Sequence, residues 1–244
     1  MGDLTGHLIP GTTFIIIALW WSTKSILKHI CKQQKRSSSL LTKDFFSRAE
    51  VLEGIVLISV TLIGITGLYT FLENHGQFSD KEFWFLRIVR WHHAVIYIVF
   101  ALLGVTRILC FIISSLPLSL VNLMLSNAFF VEAFIFYYHT YGRSSVDSFV
   151  HQLLSFNAFL VGLVAFIEFL STKTNVLLEL LTSSLTLLHG MWFWQAGFVL
   201  FPQNRDHVWD LYDNSNIPLL AMCFCSYYVL AQIIIGINYL LITR

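Results

Sequence analysis

Seven apolar segments, each long enough to cross a bilayer, constrain the fold of this 244-residue chain more than any other feature. A helix needs about 20 apolar residues to span the hydrocarbon core. Backbone polar groups in that core must be bonded within their own segment, so each span is predicted to be a helix. The sequence therefore predicts an all-α polytopic bundle, with one seven-helix transmembrane domain over residues 1–244. The predicted spans lie near residues 10–30, 50–72, 87–113, 117–139, 148–171, 175–200 and 217–241.

The composition excludes the main classes of soluble protein. Only 12% of the residues are charged and 56% are hydrophobic, whereas a soluble domain carries about 25% charged residues. Such a chain cannot cover itself with a charged surface, which excludes a soluble enzyme. The net charge of +1 provides no phosphate-binding face, so no nucleic acid is expected as a partner. The expected partner is the lipid bilayer, with membrane proteins as further candidates and the oligomeric state left open.

The Lys and Arg residues are unevenly divided between the two sides of the predicted bundle. Ten lie on the side of the first loop and the C-terminus, and five lie on the other side. Because positively charged loops remain in the cytosol, the C-terminus is predicted to be cytosolic and the N-terminus lumenal or extracellular. The ten residues are Lys24, Lys28, Lys32, Lys35, Arg36, Lys43, Arg48, Arg107, Lys173 and Arg244.

Eight of the nine histidines fall on the predicted lumenal side, and His29 is the exception. His7, His75 and His207 lie beside the membrane surface, where Trp and Tyr are also found, and are expected to belong to an interfacial belt. The other histidines lie at the lumenal ends of spans three to six. Because scattered core histidines would not segregate to one side, this group indicates a functional site. The alternative is that these histidines too belong to the interfacial belt, above all His139 and His151.

Glu132 and His139 are seven residues apart and therefore share one face of span four. Polar residues on span six recur every three or four residues from Asn175 to His189, which predicts a stripe facing the bundle interior. These side chains predict a polar funnel that opens to the lumen and ends near Glu132. The candidate metal-ligating residues are His92, His93, Glu132, His139, His151 and His189.

Imidazole and carboxylate on facing helices suit zinc, iron, nickel or copper. Two facing histidines also suit a haem, and a metal-bound water could act on a lipid-like substrate. Alternatively, Glu132 is a protonated carboxyl bonded to a neighbouring Tyr or His, or it relays protons with the histidines. The remaining carboxylates have a structural interpretation. Glu50, Glu53 and Glu168 lie nearer the cytosolic ends and are expected to pair with Arg48, Lys173 or Arg107.

Six segments of the sequence resemble the transmembrane protein 45 family over essentially the whole chain. They are GHLIPGTTFIIIALWW, RWHHAVIY, SNAFFVEAFIFYYHTYGR, VHQLL, NVLLELLTSSLTLLHGMWFWQAGFVLFP and WDL. The resemblance implies a multi-pass protein of secretory and endosomal membranes, a family without a settled biochemical activity. The matching segments include His7, His92, His93, Glu132, His139 and His151.

The sequence and the resemblance together favour a non-enzymatic protein that organises or sorts partners in the endomembrane system. The expected locations are the Golgi and endosomal–lysosomal membranes, or the plasma membrane. Two alternatives remain at this stage. One is a metal- or haem-binding protein that uses the His/Glu cluster, including a metal-dependent hydrolase of lipid-like substrates. The other is a proton- or ion-conducting protein that uses the same residues.

Overall fold

A computed structural model describes residues 4–34, 40–73, 80–113, 115–171, 175–202 and 209–244. These residues form seven α-helices and no β-strand. Each helix is long and apolar enough to cross a membrane, which confirms the predicted all-helical class with seven membrane-crossing helices. In chain order they are α1 (Leu4–Gln33), α2 (Leu40–Glu73), α3 (Asp80–Ile112), α4 (Ser119–His139), α5 (Ser145–Leu170), α6 (Val176–Leu200) and α7 (Asn216–Thr243).

Two helices begin well before the predicted apolar segments. Helix α2 begins at Leu40 rather than near residue 50, and α3 begins at Asp80 rather than near residue 87. The added turns of α2 carry charged residues, including Asp44 and Arg48, which form an ion pair one helical turn apart at 2.9 Å. A helix satisfies its own backbone hydrogen bonds in any solvent. Polar side chains therefore end the apolar segment without ending the helix.

Helix α6 is the centre of the bundle, and residues 182–190 along it are all buried. Helices α1, α5 and α7 pack against it. Helix α4 packs on α5, α3 packs on α4, and α2 lies outside against α3. Side chains from α1, α4, α5 and α6 therefore meet in the bundle interior, which is where costly polar groups are tolerated.

The closest helix approaches occur at glycines. The carbonyl oxygen of Gly11 on α1 lies 2.6 Å from the position that a Cβ on Gly190 of α6 would occupy. The same arrangement joins α2 to α3, where the Gly104 oxygen lies 2.6 Å from the corresponding position on Gly54. Small residues allow backbones to approach closely, which is a main source of helix association inside a membrane.

The two ends of the bundle differ in chemistry. We call one the histidine end: it contains the first residues of α1, α3, α5 and α7 and the last residues of α2, α4 and α6. The opposite end, called the basic end, is held by ion pairs between α1, α2 and α3. There Glu53 lies 2.5 Å from Lys24 and 2.6 Å from Arg107, and Glu50 contacts the same two cations.

These contacts form a charge network of Lys24, Glu50, Glu53 and Arg107. They confirm the predicted pairing of Arg107 with Glu50 and Glu53. Two other expected partners behave differently, because Arg48 pairs with Asp44 and Lys173 lies outside the described residues.

Candidate functional site

A short turn between α4 and α5 brings two histidines together. Helix α4 ends at His139, and Gly142 then adopts a φ of 82°, a conformation that favours glycine. Ser144 caps α5, since its side chain accepts a hydrogen bond from the backbone N–H of Asp147. The chain thus reverses within a few residues and places the rings of His139 and His151 5.5 Å apart, centroid to centroid.

Five imidazoles from four helices form a continuous histidine cluster at this end of the bundle. His139 of α4 contacts His93 and His92 of α3, with ring centroids 4.8 and 5.9 Å away. On its other side His139 contacts His151 of α5, which in turn lies 5.9 Å from His7 of α1. His139 therefore touches three imidazoles, and the histidine cluster is built from elements that are distant in sequence.

A carboxylate orients one member of the histidine cluster. The Nδ1 atom of His151 lies 2.9 Å from the side-chain oxygen of Asp147 and 2.9 Å from its backbone oxygen. Asp147 also accepts a hydrogen bond from Arg143 at 3.2 Å. With Nδ1 engaged, Nε2 is the nitrogen through which His151 would bind a ligand. This is the arrangement in which a carboxylate sets the orientation and basicity of a ligating imidazole.

Two further imidazoles retain unpaired nitrogens. The Nδ1 atoms of His92 and His139 are buried, and neither has a hydrogen-bond partner among the described residues. A buried polar atom without a partner costs roughly 1–3 kcal/mol, and in native proteins such atoms commonly mark a bound water or ion. The histidine cluster therefore contains nitrogen atoms available to an additional ligand.

Glu132 and His189 form a separate pair deeper in the membrane. The side chains are 2% and 0% exposed, and the nearest oxygen and nitrogen are 3.4 Å apart. That distance is too long for a good hydrogen bond. The rings of Phe14, Phe129 and Phe193 surround His189, with centroids 5.0, 5.8 and 5.1 Å away. We call these two residues the acid–imidazole pair.

An aromatic layer lies between the acid–imidazole pair and the histidine cluster. Phe193 contacts both His189 and His7, and its ring lies 5.7 Å from that of Phe136. Phe136 in turn contacts His139 and His151. The expected polar funnel is therefore interrupted by two phenylalanine rings, because Phe136 and Phe193 share the inner helix faces with the polar residues.

The structure thus divides the six predicted candidates into two groups. His92, His93, His139 and His151 join the histidine cluster, whereas Glu132 and His189 pair with each other below it. Two histidines assigned to the interfacial belt, His75 and His207, lie outside the described residues.

Sequence reasoning missed two residues at the histidine cluster. His7 was expected at the membrane surface, yet it is buried against His151. No local pattern reveals that contact, since it joins α1 to α5. Asp147 was not selected either, although a carboxylate four residues before His151 lies on the same helix face. That spacing is the signal by which it could have been found.

The predicted polar stripe on α6 does face the interior. Thr182, Thr186 and His189 are buried, and Asn175 caps the helix. The Thr182 hydroxyl donates a 2.5 Å hydrogen bond to Glu168 of α5. The stripe therefore combines helix-to-helix hydrogen bonding at its lower part with the acid–imidazole pair at its upper part.

Comparison with known proteins agrees with this architecture. Residues 118–240, from the start of α4 to near the end of α7, match a family described as a family of unknown function (DUF716). The chain is also similar to transmembrane epididymal protein 1 of Rattus norvegicus. The two are 25% identical over 237 residues, which covers 92% of this chain and 76% of that protein. The matched region of the family includes Glu132, His139, His151 and His189.

Proposed function

The chain belongs to the family of unknown function DUF716, and from that premise we propose that this multi-pass membrane protein binds a transition-metal ion in its histidine cluster. The observation that carries the proposal is the gathering of five imidazoles from four helices, with neighbouring ring centroids 4.8–5.9 Å apart. An interfacial belt points outward to headgroups, whereas His7, His139 and His151 are buried.

The chemistry of the donor set favours zinc, copper, nickel or iron. Neutral imidazole nitrogen is a preferred ligand of these ions, and a carboxylate behind a ligating histidine strengthens the bond. His139, His93, His92 and His151 would hold the ion, with Asp147 orienting His151. A haem takes at most two axial imidazoles, whereas His139 alone contacts three others. A bare ion therefore suits the histidine cluster better than a haem.

Binding would draw the imidazoles together. Among the described residues, no three His, Cys, Asp or Glu side chains already converge as the ligands of a metal site do. Zinc–nitrogen bonds are about 2.0–2.1 Å long, so neighbouring rings would have to turn about their side-chain torsions to share one ion. A metal ion that binds these imidazoles only in the folded protein stabilises the folded bundle. Metal binding can therefore be measured as a rise in the thermal unfolding temperature.

We expect purified wild-type protein in detergent to retain about one zinc ion per chain after equilibrium dialysis, measured by elemental analysis. His139→Phe keeps an aromatic ring but removes the central imidazole, so its zinc content should fall to background. Asp147→Asn should retain the site and weaken it, raising the dissociation constant roughly 10–100-fold. Cobalt titration provides a second readout, because ligation by imidazoles produces visible absorption.

Two control variants make this test specific. His29→Gln changes a histidine at the basic end, and His189→Phe removes a buried imidazole outside the histidine cluster. Both should bind zinc like the wild type. Equal zinc content in all four variants would overturn the metal site. A metal-free wild type that shows no thermal shift with added zinc, copper, nickel or iron would do the same, and would favour the role of organising partner proteins.

The orientation of the bundle is part of the proposal. The excess of Lys and Arg at the basic end supports a cytosolic location for that end. The resemblance to the transmembrane protein 45 family supports residence in Golgi or endosomal–lysosomal membranes. The histidine cluster would then face the lumen of those compartments.

An epitope inserted after the exposed Gly142 tests this orientation. In sealed vesicles it should resist antibody and protease until detergent is added, whereas an epitope within residues 35–39 should be accessible at once. The reverse pattern would contradict the lumenal histidine cluster. Staining of the tagged protein together with Golgi and endosomal markers tests the compartment, and an exclusive plasma-membrane signal would exclude the endomembrane assignment.

A further inference from the structure

The acid–imidazole pair has more hydrogen-bonding atoms than the described residues provide partners for. Oε2 of Glu132 and both ring nitrogens of His189 are buried without a hydrogen-bond partner among the described residues. Two helices, α4 and α6, therefore present unsatisfied polar atoms to one region of the bundle interior, where the rings of Phe14, Phe129 and Phe193 surround His189. Polar groups of this kind inside apolar walls are typical of a small-ligand site.

The charge of the pair restricts what can bind there. A net charge on buried groups is costly, so the interior favours the pair with one proton shared between the carboxyl and the imidazole, which has no net charge. A charged ligand would therefore add an uncompensated charge to a low-dielectric interior, at a cost of many kcal/mol. A hydroxyl group can donate one hydrogen bond and accept another without adding charge. The pair thus suits an uncharged hydroxyl.

The side of the bundle is the remaining approach to the pair. Phe136 and Phe193 close the route from the histidine end, and the charge network closes the route from the basic end, where Arg107 lies over Trp21. By contrast, α1 and α3 make no extensive backbone contact within the described chain. Their contact at this depth is between the rings of Phe14 and Phe100, 5.7 Å apart.

We propose that the acid–imidazole pair binds the hydroxyl group of an uncharged lipid alcohol, such as a sterol, that enters from the bilayer between α1 and α3. The hydroxyl bonds to Glu132 and His189, and the apolar body lies along Phe14 and Phe100. Phe14 packs against His189 and Phe129 on the inner side of α1 and is only half-buried, so binding requires its ring to turn aside. Lipid alcohols are present at high concentration in the bilayer beside this site, whereas water-soluble molecules are scarce in the membrane interior.

A pair of matched probes tests the proposal. One is a photoreactive, alkyne-bearing sterol with a free hydroxyl, and the other is the same sterol with that hydroxyl converted to a methyl ether. The free-hydroxyl probe should label the wild-type protein roughly tenfold more than the ether, as expected for loss of the hydrogen bond that the sterol hydroxyl donates to the protein. Mass spectrometry should place the label on α1 or α3.

Four variants separate this site from the metal site. Glu132→Met should label equally with both probes, and Glu132→Gln should recover much of the difference because the amide still accepts a hydrogen bond. His189→Phe removes the second polar partner and should label less with both probes. His139→Phe should keep the hydroxyl preference while losing zinc, so failure of one proposal leaves the other testable. Size-exclusion elution confirms that each variant is folded. Equal labelling of the wild type by both probes, or an unchanged preference in Glu132→Met, would overturn the lipid-alcohol site.

Discussion

Replacing Arg107 with methionine is expected to lower the free energy of unfolding by about 3–5 kcal/mol, the usual cost of removing one partner from a buried ion pair. The guanidinium is 6% exposed and contacts both Glu50 and Glu53. Methionine has a similar length and is tolerated inside a bilayer, so the expected loss is electrostatic rather than a packing defect. It leaves two carboxylates to share a single cation, Lys24.

Glu53 is the centre of the charge network, which explains the expected size of the effect. Its two oxygens accept hydrogen bonds from the indoles of Trp20 and Trp21 at 2.7 and 3.0 Å. Arg107 adds a second contact, since its guanidinium lies 5.3 Å above the Trp21 ring, close enough for a cation–π interaction. The network joins α1 to the α2–α3 helix pair, so losing it loosens a whole face of the bundle.

A surface ion pair provides the control for this prediction. Arg48 pairs with Asp44 on α2, but the two side chains are 76% and 53% exposed. Arg48→Met should therefore cost less than about 1 kcal/mol. Unfolding in mixed micelles of mild detergent and dodecyl sulfate compares the two variants. The double variant Arg107→Met with Glu53→Gln should recover part of the loss, because one unpaired charge is removed. Similar stability of both single variants would contradict a stabilising network.

The helices and their number could be predicted because a bilayer imposes a single length and polarity on every span. The pairing of Arg107 with Glu50 and Glu53 could be anticipated for the same reason, since charges in spans need partners. Lys24 was not identified as a member of the network. In the sequence Lys24 serves equally well as a topology signal, and only its contacts with Glu50 and Glu53 of α2 show its second role.

The candidate site could be predicted only in part, because it depends on side-chain contacts between helices that are distant in sequence. Spacing along one helix correctly placed Glu132 and His139 on the inner face of α4, where both are buried. Spacing does not reveal what lies between them in the neighbouring helices, and the Phe193 ring of α6 fills that region. His7 shows the same limit, because its burial depends on α1 crossing α6 closely enough to reach α5.

That close crossing makes Gly190 the second position where a small change should have a large effect. We expect Gly190→Ala to lower the free energy of unfolding by about 3 kcal/mol, the upper part of the range for overpacking. The new Cβ would lie 2.6 Å from the Gly11 carbonyl oxygen and 2.8 Å from the backbone nitrogen of Ile15. Backbone atoms cannot rotate away as a side chain does, so α1 and α6 must separate along their length.

Gly236 on α7 allows the same substitution to be tested without the clash. Among the described residues, no atom other than those of its chain neighbours and its own helix backbone lies within 4 Å of the position that its Cβ would occupy. Alanine there removes the conformational freedom of glycine and creates no conflict, so Gly236→Ala should be neutral or stabilise the helix by up to about 1 kcal/mol. In thermal unfolding in detergent, Gly190→Ala should lower the unfolding temperature and Gly236→Ala should not. If both leave the unfolding temperature unchanged, the α1–α6 contact is not a close one.

Separation of α1 from α6 should also displace His7 from the histidine cluster and Phe14 from His189. Gly190→Ala should therefore weaken both zinc binding and sterol labelling, whereas Gly236→Ala should weaken neither.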